Sequence, residues 1–405
     1  SVIGKIRNNK QYIVHNNGEK IIDALAEEVT KGFLYDREYK KPDQELHEPS
    51  LLAPLDYNEI LKKMLAHENI ASRSVVYESY DKQVQGRTVS EAGQSDSGVM
   101  APFNSDNYPE EIRKVGIALS TDHNPRYSII SPYLGGVNAV VEAMRNVAAA
   151  GATPHALSDC LCFGNPEKPH QMWEFVEAVR GISDASNGIK LKENQNHPTP
   201  IIAGNVSFYN ESKSGAIPPS PIVSCLGKIN NVENTISMSF KNGNSAILMV
   251  GSRKDELGGS LFYDLHGELG ANVPTPNLEE VKNQIYAITD CIEEKLFLSC
   301  HDISDGGLAV AISEMTFKNN IGCDVMVPGN LALEKLLFSE TGGFIIETEP
   351  KHLQQIKNIF KVHDIVYYNI GNTNNNGRIR LNDAIDLDLK EAKTLWSNGL
   401  RDKIK

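Results

Sequence analysis

With 405 residues, 40% of them apolar and 23% charged, the chain has the size for two or three domains and the composition of an ordinary soluble globular protein. A net charge of −12 and the lack of any useful Lys/Arg run argue against nucleic acid as the main partner, so phosphate ligands would be held by backbone amides and metal ions. There is no secretory signal and no apolar run able to span a membrane, which points to the cytoplasm and makes glycosylation of the Asn205 and Asn210 sequons unexpected.

Residues 1–45 read as the end of a preceding unit, too short for a core of their own. Residues 2–5 and 12–15 are strand-like, Asn16-Asn17-Gly18 is a turn, and residues 20–29 have a helical look. Residues 40–50 are polar and broken by proline, as in a linker. Residues 56–66 form an amphipathic helix, with Asp56 as N-cap and Ile60, Leu61, Met64 and Leu65 as its apolar stripe. Residues 80–89 are a polar, strand-like segment with a glycine break.

From 115 to 229 strands and helices alternate. Residues 115–122 are a strand that ends in Asp122-His-Asn-Pro125, with Asp122 and Asn124 on one face. Gly135-Gly136 opens a helix over 137–150, and Gly151 stops it. Residues 155–163 are a strand, 171–185 a helix with Trp173, Val176, Val179 and Ile182 inward, and 190–197 a surface insertion. Pro200-Ile-Ile-Ala-Gly-Asn-Val-Ser-Phe-Tyr-Asn-Glu211 begins as a buried strand; Gly204 permits close approach, and alternation puts Asn205 and Ser207 on one face. A strand over 222–229 completes the unit.

A second α/β unit follows: strands at 245–251, 296–300, 323–327, 343–347 and 365–368, and helices at 278–293, 306–317 and 351–361. The expected division is 1–45 as tail and linker, 46–230 as the first domain and 231–405 as the second.

The six cysteines form no Cys-x-x-Cys pair and read as free core thiols in a reducing compartment. Cys160 and Cys162 share one strand face, with a metal role the remoter reading. Asp122, Asn124, Asn205 and Ser207 are oxygen donors of the kind Mg²⁺ takes, although each alone is more ordinarily a satisfied turn residue. Asp159 either contacts a nucleotide or a metal, or caps a turn, the cap being the commoner role. His301-Asp302-Ile-Ser-Asp305-Gly-Gly307 is either a His/Asp catalytic pair or, more ordinarily, a helix start capped by Asp305. No Walker loop, dinucleotide fingerprint or nucleophile elbow occurs.

The stretches Tyr80-Asp-Lys-Gln-Val-Gln-Gly-Arg-Thr-Val89, Ser120-Thr-Asp-His-Asn-Pro-Arg-Tyr127, Asp159-Cys-Leu-Cys-Phe-Gly-Asn-Pro-Glu167, Gly204-Asn-Val-Ser-Phe-Tyr-Asn-Glu211 and Ala216-Ile-Pro-Pro-Ser-Pro221, in this order, resemble phosphoribosylformylglycinamidine synthase in its small synthetase subunit. His301 to Gly307 is similar to the C-terminal domain of that subunit and of aminoimidazole ribonucleotide synthetase. The resemblance covers essentially the whole chain and is to the second half of an internally duplicated protein. It implies an α/β (α+β) fold with an N-type and a C-type domain. It also implies ATP-dependent conversion of formylglycinamide ribonucleotide to the amidine, with ammonia from a glutaminase subunit and a small third subunit for assembly. Carried over by motif, Asp159 and Gly204 contact ATP, Asn205 holds Mg²⁺ and Ser207 touches the ribonucleotide. The family's catalytic histidines belong to the first half, so no catalytic residue is assigned here. The alternatives are a non-catalytic scaffold half, or a homodimeric ATP enzyme of the same fold. Self-association through residues 80–230 is expected of the chain alone. Cys162 and His123 depart from the family's usual Asn and Cys.

Overall fold

The computed structural model describes residues 2–32, 34–51 and 56–404. Among these residues the strands form two large sheets and three short hairpins. The first sheet has six strands in the order Thr88–Ser90, Gly98–Met100, Gly116–Asp122, Ser220–Ile229, Thr153–Cys162 and Ile201–Ser207. All neighbours are antiparallel except the last pair, which runs parallel. The central strand Ser220–Ile229 alternates strictly between half-buried and buried residues. Val223, Cys225 and Ile229 face the helices Pro132–Ala149 and Pro169–Gly188, and the opposite face of the sheet is open.

The second sheet has seven strands in the order Ser299–Ile303, Gly343–Thr348, Ala246–Val250, Tyr367–Asn374, Gly322–Val325, Arg378–Leu381 and Ile385–Asp388. Ala246–Val250, Ser299–Ile303 and Gly343–Thr348 are buried at every residue, because helices lie on both of their faces. One apolar cluster joins the two units: Val140, Met144 and Val223 meet Ile285, Ile288, Leu248 and Phe344. The other lies across the second sheet and takes in Ile60, Leu61, Met64 and Leu65 of the helix Tyr57–Leu65. A division at residue 46 groups that helix with the first sheet, but its apolar stripe packs with the second.

Several elements differ from the sequence expectation for physical reasons. Residues 20–25 are not helical: Glu19–Leu25 pairs antiparallel with Gln11–Asn16 through a turn in which Asn17 and Gly18 both have positive φ, and Ala26–Lys31 alone is helical. The Asn-Gly turn and the β-branched pair Ile21-Ile22 override a weak helical periodicity. Gly135 and Gly136 lie inside the helix Pro132–Ala149, since a Cβ at Gly136 would fall 2.3 Å from the carbonyl oxygen of Ala178 in the neighbouring helix. Helix Pro169–Gly188 turns Ala178, Gly181, Ile182 and Ala185 inward, and leaves the expected core residue Val179 exposed. The 190–197 insertion is a hairpin tied to helix Leu278–Glu293 by Lys192 Nζ to Asp290 Oδ1 at 2.5 Å and by the Tyr286 hydroxyl, which donates to the Lys190 carbonyl at 2.6 Å. Four of the cysteines are core thiols, but Cys160 and Cys162 are half-buried.

Candidate functional site

The strand Ile201–Ser207 is an edge strand, not a buried one, and it is exposed from Ile201 to Val206. Its parallel register on Thr153–Cys162 places Asp159 beside Gly204, Cys160 beside Asn205 and Cys162 beside Ser207. Directly paired residues project to the same side of a sheet. Asp159 and Gly204 therefore share the helix-bearing side, in one row with Val223 and Asp122, and Asn205 and Ser207 look to the open face. The expected site residues meet on two adjacent strands but divide between the two faces of the edge.

Gly204 is required by its neighbour. A Cβ built there would stand 2.2 Å from Asp159 Oδ1 and 2.8 Å from its Cγ, inside van der Waals contact. Asp159 caps no turn: it lies within the strand and makes no hydrogen bond or ion pair among the described residues, and burial raises its carboxyl above the usual range. Asn205 is exposed and likewise keeps its amide free of hydrogen bonds among the described residues. Ser207 is engaged, its hydroxyl 3.1 Å from Asn210 Nδ2, which also donates to the Phe163 carbonyl at 3.0 Å. That clamp, with Tyr209 at φ 60°, shapes the turn after the strand.

A second polar centre lies where the two units meet, and motif reading found only part of it. Asp122 closes the strand Gly116–Asp122 and accepts a hydrogen bond from Asn146 Nδ2 at 2.8 Å, while its Oδ2 is buried without a partner among the described residues. Glu142, one turn before Asn146, lies near Asp122 and Asp302. Asp302 sits in the strand Ser299–Ile303 with Arg145 Nη2 3.6 Å away and, among the described residues, its own Oδ2 free of hydrogen bonds. Burial pushes the Asp122 carboxyl up to about 6, against hydrogen bonds from Asn146 and Ser120. Burial together with Asp96 pushes Asp302 up to about 7, against Arg145. Burial and the charges of Asp122 and Asp302 raise Glu142 well above the carboxylate range. Stranded oxygens on crowded, buried carboxyl groups are chemistry suited to a hard divalent cation. So Asp122 belongs to this centre, on the opposite side of the sheet from Asn205 and Ser207.

His301 is a linker of the two units. Its Nδ1 is 2.7 Å from Asp96 Oδ1 and its Nε2 is 3.3 Å from Glu314 Oε2, and the Asp302 backbone N–H donates to Asp96 Oδ2 at 2.9 Å. Burial alone would depress its pKa, but the two carboxylates hold it well above the ordinary value. Asp96, His301 and Asp302 place potential ligand atoms within 4.8 Å of one another. Asp305 does not cap the following helix, whose N-cap is Gly306 in the left-handed region; it accepts from Asn124 Nδ2 at 3.0 Å. Gly307 does permit close packing, since a Cβ there would lie 2.6 Å from the Ser339 carbonyl. A cavity of about 260 Å³ adjoins Asp305, with Arg73, Arg126 and His123 on its wall. Neither ring nitrogen of His123 has a hydrogen-bond partner among the described residues, and burial lowers its pKa to about 4.

Residues 96–229 match the family described as AIR synthase related protein, N-terminal domain, and residues 243–384 match AIR synthase related protein, C-terminal domain. The phosphoribosylformylglycinamidine synthase subunit PurL of Methanothrix thermoacetophila is 41% identical over 411 residues, an alignment covering 100% of this chain and 53% of that protein. The subunit of the same name from Methanocaldococcus jannaschii is 35% identical over 412 residues, with 97% and 53% covered. Among solved structures, Thermotoga maritima PurL complexed with FGAR matches with TM-score 0.65 at 19% identity, over 84% of this chain and 54% of that one. The T. maritima structure named PurLQS matches with TM-score 0.62 at 18% identity, over 85% and 52%. At these identities the solved structures establish the shared fold. The chain spans about half the length of the curated relatives it matches.

Proposed function

The chain belongs to the AIR synthase related protein family, with an α/β architecture of N-terminal and C-terminal family domains, and on that footing we propose that it is part of an ATP-dependent carbon–nitrogen ligase of purine biosynthesis. The reaction is the conversion of formylglycinamide ribonucleotide, ATP and ammonia to formylglycinamidine ribonucleotide, ADP and phosphate. In it the amide oxygen is phosphorylated to an iminophosphate, which ammonia then displaces. The relatives that cover nearly the whole chain bear the name of this synthase, and that supports the reading.

The observation that carries the site assignment is the pairing of Asp159 with Gly204 beside an unengaged Asn205. In this reading Asp159 and the Gly204 backbone contact ATP, the Asn205 amide oxygen takes one position on Mg²⁺, and Ser207 touches the ribonucleotide. An amide oxygen free of internal hydrogen bonds suits a hard cation that keeps waters and substrate phosphates in its shell. The chemical step itself falls to residues outside this chain. Ser207→Ala in the assembled synthase tests the assignment: it raises KM for formylglycinamide ribonucleotide about tenfold and leaves KM for ATP within about twofold. Equal changes in both constants would contradict the role given to Ser207.

The first sheet needs a cover. On its open face Leu119 is 55% exposed and Met100 37%, and among the described residues the edge strand Ile201–Ser207 is unpaired on its outer side. In the assembled protein a matching sheet face, from the rest of the synthetase or from a second copy of this chain, lies over it. A glutaminase subunit and a small assembly subunit complete the complex, in line with the T. maritima assembly named PurLQS. Among the described residues no helix is long and apolar enough to cross a membrane, and work in the cytoplasm accords with the chemistry. Sedimentation of the chain alone as a monomer at high concentration would contradict self-association through this face.

A further inference from the structure

We propose that Asn210 is a positioning residue that presents the Ser207 hydroxyl to the ribonucleotide as a hydrogen-bond donor. This rests on the reading of Ser207 as a substrate contact and adds how that contact is set. Asn210 follows Ser207 by three residues and folds back on it. Its Nδ2 is 2.7 Å from the Ser207 carbonyl oxygen, 3.0 Å from the Phe163 carbonyl oxygen and 3.1 Å from Ser207 Oγ. Two carbonyl oxygens call for an N–H donor, so the amide has one orientation; flipped, its own oxygen would face both of them. Its Oδ1 then lies 3.2 Å from Ser207 Oγ. Nδ2 thus occupies a lone pair of Oγ, and the hydroxyl proton has Oδ1 as its one acceptor among the described residues, beyond the usual range for an O–H···O bond. A phosphate or carbonyl oxygen of the ribonucleotide that offers a shorter bond draws the proton outward, while Nδ2 keeps Oγ in place.

The backbone that carries Asn210 is cross-linked to the end of the neighbouring strand. The Asn210 N–H donates to the Phe163 carbonyl at 3.1 Å and the Tyr209 N–H to the Gly164 carbonyl at 2.9 Å. The Phe163 N–H donates to the Ser207 carbonyl at 2.9 Å. Tyr209 sits at φ 60°, in the left-handed region that a tyrosine enters only at a cost. Phe208 packs edge-on to Phe175 with ring centroids 4.9 Å apart, and Phe175 packs in the same way on Phe163 at 5.4 Å. This strained, cross-linked turn brings Asn210 back onto Ser207, whereas an extended continuation of the strand would carry it away.

The test is a double-mutant cycle in the assembled synthase, with KM measured for formylglycinamide ribonucleotide and for ATP in the parent, Ser207→Ala, Asn210→Ala and the double variant. Asn210→Ala is expected to raise KM for the ribonucleotide about fivefold in the parent, but by less than about twofold in the Ser207→Ala background. KM for ATP should stay within about twofold throughout. Full additivity in the cycle would overturn the proposal and leave the Ser207 contact standing. Ser207→Ala with the parent's KM for the ribonucleotide would instead contradict the contact itself, and the proposal with it. Asn210→Asp has the same size and keeps Oδ1 but loses the donor, so it should raise that KM at least as far as Asn210→Ala. An unchanged KM in Asn210→Asp would overturn the role given to Nδ2. A rise in both constants together in either Asn210 variant would mean a general loss of the turn, and would overturn the proposal as well.

Discussion

The Asp159 carboxylate occupies the space in which a side chain at Gly204 would begin, with Oδ1 2.2 Å from an ideal Cβ at that position. The two residues are paired across parallel strands, so neither can move away without breaking the register that also sets Asn205 and Ser207. A methyl group at 204 must therefore displace the carboxylate, not the backbone. Gly204→Ala is expected to weaken Mg·ATP binding about tenfold or more while lowering the melting temperature by only a few degrees, because the strand is at an exposed edge. Calorimetric titration with a thermal melt checks both parts, and unchanged affinity would show that Asp159 has no part in nucleotide binding.

The crowded carboxyl groups at the junction of the two units make stability depend on pH. Asp122 is raised to about 6, Asp302 to about 7, and Glu340, which accepts from the Tyr127 hydroxyl and the Leu261 and Gly306 backbone N–H groups, to about 8, in each case chiefly by burial. A carboxyl whose folded pKa lies above its unfolded value holds its proton longer in the folded state. Its contribution to stability is whole below the unfolded pKa and is lost as pH rises through the folded one. His123, lowered to about 4, acts in the opposite sense, but only up to the ordinary histidine pKa of 6.5. The melting temperature of the metal-free chain should therefore fall between about pH 6.5 and 8, and millimolar Mg²⁺ should recover part of the loss. A melting temperature that rises over this interval would refute the electrostatic account.

Glu142→Gln removes a buried carboxyl that lies near Asp122 and Asp302 and closely keeps its shape. The variant should lose part of the alkaline fall in melting temperature and also part of the recovery by Mg²⁺. An unchanged pH profile would place Glu142 outside the coupled group.

His301 joins Asp96 of the first unit to Glu314 of the second while charged and buried. Replacing it by Gln leaves two carboxylates without their cation, a change that costs about 3–5 kcal/mol for a buried pair. Urea denaturation of His301→Gln reads this directly. A loss below about 1 kcal/mol would mean that solvent already screens the cluster.

Much of the fold could be read from hydrophobic spacing, and the reasons for the failures are specific. The helix Leu278–Glu293 was legible to the residue because Val281, Ile285, Ile288 and Ile292 keep strict helical spacing; the structure adds Asn277 as its cap. Residues 20–25 misled because their apolar spacing fits a helix, while the Asn17-Gly18 turn dictates a hairpin. The short apolar run 200–203 looked like a buried strand, since periodicity alone cannot tell a central strand from an edge. At the candidate site the alternation of Asn205 and Ser207 was visible, but the parallel register that sets Cys160 and Cys162 beside them was not. Of the carboxyl cluster at the unit junction only Asp122 and Asp302 were visible in motifs, and not as one centre, because the cluster gathers a loop residue, a strand end, a helix and a second sheet: Asp96, Asp122, Glu142 and Asp302. The one local signal was Glu142 set within the apolar run from Val140 to Met144, one turn before Asn146.

The central claim, that this chain supplies the Asp159, Gly204 and Asn205 side of an ATP–Mg²⁺ site, is tested most directly by calorimetric titration of the chain and of Asn205→Ala with ATP, in Mg²⁺ and in a chelator. The predicted result is Mg²⁺-dependent binding that weakens about tenfold or more in the variant. Equal affinity in the two proteins, or no binding by either, would contradict it.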